Sequence, residues 1–198
     1  KLLKTLFNFK LRHICVCSIY KHMKSKENIV FLGMMGVGKT SIGFLVSKKL
    51  NLSFLDIDQL IEKELGMKIS KVFETRGEKY FREIEEKITL KSLKLKKIVI
   101  SLGGGAFLNK NIRDEILNNH SSYWLKLNPK ILIKRLRNNS KRPIAFKLTN
   151  NELIDLTKKR SNIYSKALYK IDCDNRSKNE IVNEILNIYE TNKINSKY

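Results

Sequence analysis

Gly33-Met34-Met35-Gly36-Val37-Gly38-Lys39-Thr40 sets glycines, a lysine and a hydroxyl at the spacing G-x-x-x-x-G-K-[ST]. Residues of these types in this order bind phosphate. The glycines let the backbone turn sharply, so that several N–H groups converge on one anion. A helix starting just after them adds the positive end of its dipole. Lys39 can reach the β and γ phosphates, and the Thr40 hydroxyl can hold Mg²⁺. The flanks are those the motif requires. Residues 28–32 read as a buried strand, and 41–50 as a helix with Ile42, Leu45, Val46 and Leu50 on one face. A chance glycine-rich turn would have no reason to carry both.

Three further groups could do chemistry. Asp56 and Asp58 stand at i and i+2 after the apolar run 52–55. On an extended backbone both would point the same way, at the carboxyl end of a strand, where open α/β sheets bind ligands. Asp58 also suits the N-cap of a helix over 59–65 that Gly66 closes. Arg82 and Glu85, at i and i+3, share a helix face while Phe81, Ile84 and Ile88 share the buried one. That pair is either a surface ion pair or a guanidinium held ready for an anion. Gly103-Gly104-Gly105 follows the β-branched run 97–102, so something approaches the backbone closely there. This third strand has no Asp to hold Mg²⁺ through water; Asp56 and Ser101 are the candidates.

Elements that could position these groups alternate along the chain. Strands are expected at 28–32, 52–56, 97–102, 122–127 and within 167–173, with helices between them. The fourth strand leads to Asn128-Pro129, a cap and first helical residue. That helix carries Arg135 and Arg137. The polar stretch 138–150, with Arg142-Pro143 inside it, is a connector or a lid that closes on phosphate and excludes water. Thr149-x-x-Glu152 reads as the capping box of the helix holding Arg160 and Tyr164, and Ser177-x-x-Glu180 as that of a last amphipathic helix. The alternation predicts a parallel, doubly wound α/β sheet with helices on both faces.

With 198 residues, 42% hydrophobic, and two prolines, the chain suits one domain with one core. No apolar run approaches a membrane span. Three cysteines (Cys15, Cys17, Cys173) without C-x-x-C argue against a disulfide framework and a structural zinc site. Reduced thiols fit a cytoplasmic protein. The net charge of +21 suggests a nucleic-acid binder. Yet the lysines are scattered over nearly every helix, without a helix-turn-helix or an aromatic stacking pattern. A basic surface also attracts nucleotides, so no nucleic-acid partner is expected.

Five separated elements together resemble the shikimate kinases over about residues 26–190. They are the phosphate loop, Phe54-Leu55-Asp56-Ile57-Asp58, Gly77-Glu78-Lys79-Tyr80-Phe81-Arg82, Gly103-Gly104-Gly105 and Arg142-Pro143. The resemblance implies a P-loop NTPase-type α/β/α fold with a five-stranded parallel sheet and a lid loop. It implies transfer of the ATP γ-phosphoryl group to the 3-hydroxyl of shikimate, with one Mg²⁺, by a monomer. Asp58 would bind ring hydroxyls beside the attacking oxygen, and Arg82 and Arg160 would grip the carboxylate. The backbone of Gly103, Gly104 and Gly105 would lie along the substrate, with Phe81 and Glu85 lining its pocket. Gly36, Val37, Gly38, Lys39, Thr40 and Ser41 would cradle the ATP phosphates, and Lys39 and Arg142 would flank the transferring group. Thr40 would bind Mg²⁺ directly and Asp56 through water. Arg135, Asn175 and Arg176 would lie on the adenine side. Where the family often carries a proline packing on adenine, Asn179 stands here.

The resemblance leaves residues 1–22 without a counterpart. They read as a basic extension: a targeting segment, a tail or sequence upstream of a start at Met23. Residues 23–198 then form a single kinase domain. Two other functions compete. A gluconate-type kinase would share the phosphate loop, but Arg82, Arg160 and the three glycines build a cup for a carboxylate and hydroxyls. A non-catalytic nucleic-acid binder would have no need of Lys39, Asp58 and Arg142 together.

Overall fold

Ile29, Val30, Phe31 and Leu32 are each at most 2% exposed, as a strand covered on both faces must be. They form β1 (Ile29–Leu32) at the centre of a computed structural model that describes residues 28–137 and 148–195. In chain order follow α1 (Lys39–Leu50), β2 (Ser53–Asp56), α2 (Ile57–Leu65), α3 (Ile69–Leu93), β3 (Ile98–Ser101), a 3₁₀ turn (Ala106–Leu108) and α4 (Lys110–Asn119). Then come β4 (Ser121–Lys126), α5 (Pro129–Arg137), α6 (Asn150–Tyr164), β5 (Tyr169–Asp172) and α7 (Lys178–Asn195).

The five strands are parallel in the order β2-β3-β1-β4-β5, the predicted doubly wound sheet. From β1 the chain first steps outward to β2, then returns through β3 to β4 and β5. Right-handed crossovers therefore put α1 on one face and α3 and α4 on the other. The α1 helix packs against α7, and α3 against α4. The direction reverses at β1, so the loop after β1 sits at the switch point where such sheets bind ligands. The edge strands are more exposed than β1 and β3.

Asn28 fastens the start of β1. Its amide donates to the carbonyls of Leu93 (3.1 Å) and Leu95 (2.6 Å) and accepts from the Ile98 N–H (3.2 Å). One buried side chain thus ties the end of α3 and the start of β3 to the central strand. The expected capping boxes are present at Thr149 with Glu152, and at Ser177 with Glu180.

Two boundaries differ from expectation. The first helix begins at Lys39 instead of residue 41, with Gly38 (φ 108°) as its left-handed N-cap, so Lys39 and Thr40 are themselves helical. The second helix begins at Ile57. Its cap is Asp56, whose Oδ1 accepts from the Gln59 N–H at 3.2 Å, and not Asp58. The backbone therefore does not stay extended from Asp56 to Asp58. Both positions satisfy the spacing of a cap, and the strand register decided between them. The α3 helix is broken at Gly77 (φ 78°, ψ 173°). Arg142-Pro143 and the extension 1–22 lie outside the described residues. No helix among the described residues is long and apolar enough to cross a membrane.

Candidate active site

At the carboxyl end of β1 the chain turns through residues 33–38 into α1. Lys39, 7% exposed, curls back so that its ammonium donates to the Gly33 (2.9 Å) and Met34 (3.0 Å) carbonyls. The Thr40 hydroxyl donates to Asp56 Oδ2 at 2.6 Å. Asp56 is the last residue of β2 and pairs in register with Ser101, the last of β3. The two strands thus deliver a carboxylate and a hydroxyl to one edge of the loop. A polar cleft of about 180 Å³ opens there, lined by Gly36, Gly38, Lys39, Thr40, Ser41, Asp56, Asp58 and Ser101. Although helical, Asp58 still faces it.

Beyond Asp58 lies the glycine run, and the reason for three glycines is steric. A Cβ on Gly103 would stand 2.6 Å from Glu85 Oε1 and 2.7 Å from Asp58 Oδ1. One on Gly105 would stand 2.8 Å from Arg82 Cζ, and one on Gly104 3.3 Å from the Met35 backbone nitrogen, with Arg160 Nη1 in ordinary contact at 3.7 Å. Four charged side chains from α2, α3 and α6 therefore converge on three backbone positions.

Arg82 is fixed from both sides along α3. Its Nη1 meets Glu85 Oε2 at 2.6 Å, and its Nε and Nη2 meet Glu78 Oε1 at 3.2 and 3.0 Å. Its Cζ lies 5.1 Å from the Phe81 ring, which packs on Phe73. Burial alone would make the guanidinium easier to deprotonate, but Glu85 and Glu78 outweigh that and hold it charged. Burial pushes the Glu85 carboxyl above its ordinary value against the pull of Arg82, and the charge of Asp58 pushes it the same way.

Arg160 reaches the run from α6. Its Nη1 donates to the Gly104 carbonyl at 3.1 Å, while its buried Nε has no partner among the described residues. A buried donor left open is what an anion site carries. The chain's pair of guanidinia and pair of carboxylates thus surround one patch of bare backbone, next to a phosphate loop.

The remaining expected residues are further out. Val37 is buried in the loop. Arg135 is exposed in the last turn of α5, and Asn175 takes a left-handed conformation (φ 52°) after β5. Arg176 donates to the Asp172 and Glu180 carbonyls and to Glu184. Arg135 and Arg176 both act on the buried Cys173 thiol, which sets them at one end of the sheet. Two participants were not anticipated. Glu78 could have been found from its i,i+4 spacing to Arg82. Tyr164, whose hydroxyl donates to the Gly104 carbonyl, had no local signal, because its partner lies far away in sequence.

Comparisons with known proteins bear on the family and the fold. The family model described as shikimate kinase matches residues 35–190. A shikimate kinase of Sulfurihydrogenibium sp. is 38% identical over 160 residues, covering 81% of this chain and 96% of that protein. Among solved structures, shikimate kinase from Acinetobacter baumannii in complex with shikimate superposes with a TM-score of 0.79 at 28% identity, covering 86% of this chain and 96% of that one. A gluconokinase from Sinorhizobium meliloti shares the fold, with a TM-score of 0.52 at 15% identity over 84% of this chain and 93% of its own.

Proposed function

Because the chain belongs to the shikimate kinase family, we infer how its residues share the transfer of a phosphoryl group from ATP to shikimate. The single observation that carries the reading is the convergence of Asp58, Arg82, Glu85 and Arg160 on Gly103, Gly104 and Gly105 beside the phosphate loop. A small ring bearing a carboxylate and hydroxyls fits against bare backbone. Arg82 and Arg160 suit its carboxylate, since planar guanidinia grip carboxylates in a bidentate way. Asp58, between the cup and the cleft, suits the hydroxyl that attacks. Phe81 and Glu85 hold Arg82 at the pocket wall.

On the nucleotide side, the N–H groups of residues 36–41 suit the phosphates. Lys39 gives up the Gly33 and Met34 carbonyls for the γ-phosphoryl oxygens. Thr40 Oγ1 and Asp56 form a small, hard oxygen set of the kind Mg²⁺ accepts when phosphates and waters complete its shell. Mg²⁺, when bound, neutralises charge on the β and γ phosphates. Thr40 would hold it directly, with Asp56 and Ser101 reaching it through water. Arg142, which lies outside the described residues, would add positive charge to the transferring group. Phosphoryl transfer rests on such positioning and charge more than on covalent help. Asp58 orients the hydroxyl and takes its proton as its oxygen bonds to the γ-phosphorus and the bond from that phosphorus to the bridging oxygen breaks, releasing ADP. Arg135, Asn175 and Arg176 take the adenine side. Three N–H donors of Arg176 are already engaged by the chain, so its planar face suits the base.

The reading carries with it a cytoplasmic monomer without a nucleic-acid partner, for which residues 1–22 are dispensable. It is tested by coupled ADP release with shikimate, gluconate and a nucleoside monophosphate side by side. Turnover with shikimate alone is expected; turnover with gluconate equal to or above it would overturn the reading.

A further inference from the structure

Gly104 offers one carbonyl oxygen to two donors. Arg160 Nη1 reaches it at 3.1 Å, and the Tyr164 hydroxyl makes a short hydrogen bond to the same atom. Both side chains also share a second partner, since each lies 3.9 Å from the Met34 sulfur in the phosphate loop. Arg160 and Tyr164 are one turn apart on α6, so the helix presents them side by side.

We infer that Tyr164 is a positioning residue for substrate binding. Its hydroxyl occupies half of the Gly104 carbonyl and so sets how far Arg160 is drawn toward backbone. The inference rests on the reading of Arg160 as a carboxylate ligand.

Tyr164 and Arg160 compete for the Gly104 carbonyl. A carbonyl oxygen has two lone pairs. With Tyr164 on one of them, Arg160 can commit only one N–H to it, and its buried Nε stays without a partner among the described residues. Without the hydroxyl, the carbonyl is under-satisfied in a buried setting. The guanidinium already donates to it, and would turn further onto Gly104 and away from the ligand. The Tyr164 ring is 1% exposed and packs 6.1 Å from the ring of Trp124, so it cannot swing aside. Burial raises the tyrosine above its ordinary value, and the hydroxyl stays a donor across the working pH range. The Met34 contact ties the same pair to the loop that holds phosphate, so substrate and nucleotide sites share one fixed wall.

The test is isothermal titration of shikimate into wild type, Tyr164→Phe, Arg160→Ala and the double variant, with steady-state kinetics alongside. Phenylalanine keeps the ring on Trp124, and a thermal melt checks that the fold is retained. Tyr164→Phe should weaken shikimate about five- to tenfold, the scale of one hydrogen bond. The ATP KM and kcat should stay within about threefold. In the Arg160→Ala background the same change should add less than about twofold, because the effect passes through Arg160. Equal weakening of ATP and shikimate, full additivity with Arg160→Ala, or an unchanged shikimate affinity would each overturn the inference. If Arg160→Ala itself leaves shikimate binding intact, the reading of Arg160 fails, and this inference with it. If Arg160→Ala weakens binding and Tyr164→Phe does not, the inference alone fails.

Discussion

Arg82 Nη1 sits 2.6 Å from Glu85 Oε2, and this pair spans the space over Gly103 and Gly105 that any side chain would fill. Glu85 is only 3% exposed whereas Arg82 keeps 34%. The carboxylate is therefore the anchor and the guanidinium the working end. A pair of this kind at the surface would be worth under about 1 kcal/mol. Here its use lies in holding a guanidinium still beside bare backbone.

Gly103→Ala is expected to separate substrate binding from folding. Its Cβ would meet the ends of two carboxylate side chains, at 2.6 Å and 2.7 Å. Side-chain ends can move, so the protein should fold, but Asp58 and Glu85 would be displaced. The shikimate KM should rise at least about tenfold, as expected for the loss of one to two charged contacts, with the ATP KM unchanged. Steady-state kinetics on each substrate, with a thermal melt, checks this.

Asp58→Asn should lower kcat at least about 10²-fold, the usual scale for a positioned acid or base, with a small effect on ATP binding. Near-normal turnover would remove Asp58 from its assigned role.

Glu85 makes a pH-dependent contribution of definite sign. Its folded-state value lies above the ordinary 4.5, so between the two the folded protein binds a proton that the unfolded chain has released. Stability from this group therefore falls as pH rises from 4.5 through the folded value, and is level above it. Urea unfolding of wild type and Glu85→Gln across that range should give a stability difference that shifts against wild type with rising pH. A difference moving in wild type's favour would contradict the burial argument.

Asn28→Ala tests the fold apart from the site. It removes three hydrogen bonds and strands buried backbone groups of α3 and β3. The expected cost is about 1–3 kcal/mol, read as a lower urea midpoint with an unchanged slope. The KM values should stay as in wild type, because Asn28 lies at the opposite end of β1 from the loop.

Much of this is legible in the sequence because it is local. The phosphate loop, the Arg82–Glu85 spacing, both capping boxes and the alternation of elements each lie within a few residues of chain. The displacement of the cap from Asp58 to Asp56 was not, since two aspartates two apart both fit the pattern. Pairing of Asp56 with Ser101 across the sheet settled it. The convergence on the glycine run was anticipated in kind but not in partners. Which glycine meets which charge depends on packing α2, α3 and α6 against β3. Tyr164 is the clearest case: its acceptor is 60 positions away, and no spacing rule spans that distance.

The central claim is that the carboxylate of shikimate is held between Arg82 and Arg160 while a ring hydroxyl faces Asp58 and the phosphate loop. A crystal structure with shikimate and ADP bound measures it directly. Carboxylate oxygens at about 2.7–2.9 Å from both guanidinia, with a hydroxyl in hydrogen-bond reach of Asp58, is the arrangement expected. A ring seated with its carboxylate toward Lys39, or away from both arginines, would contradict it.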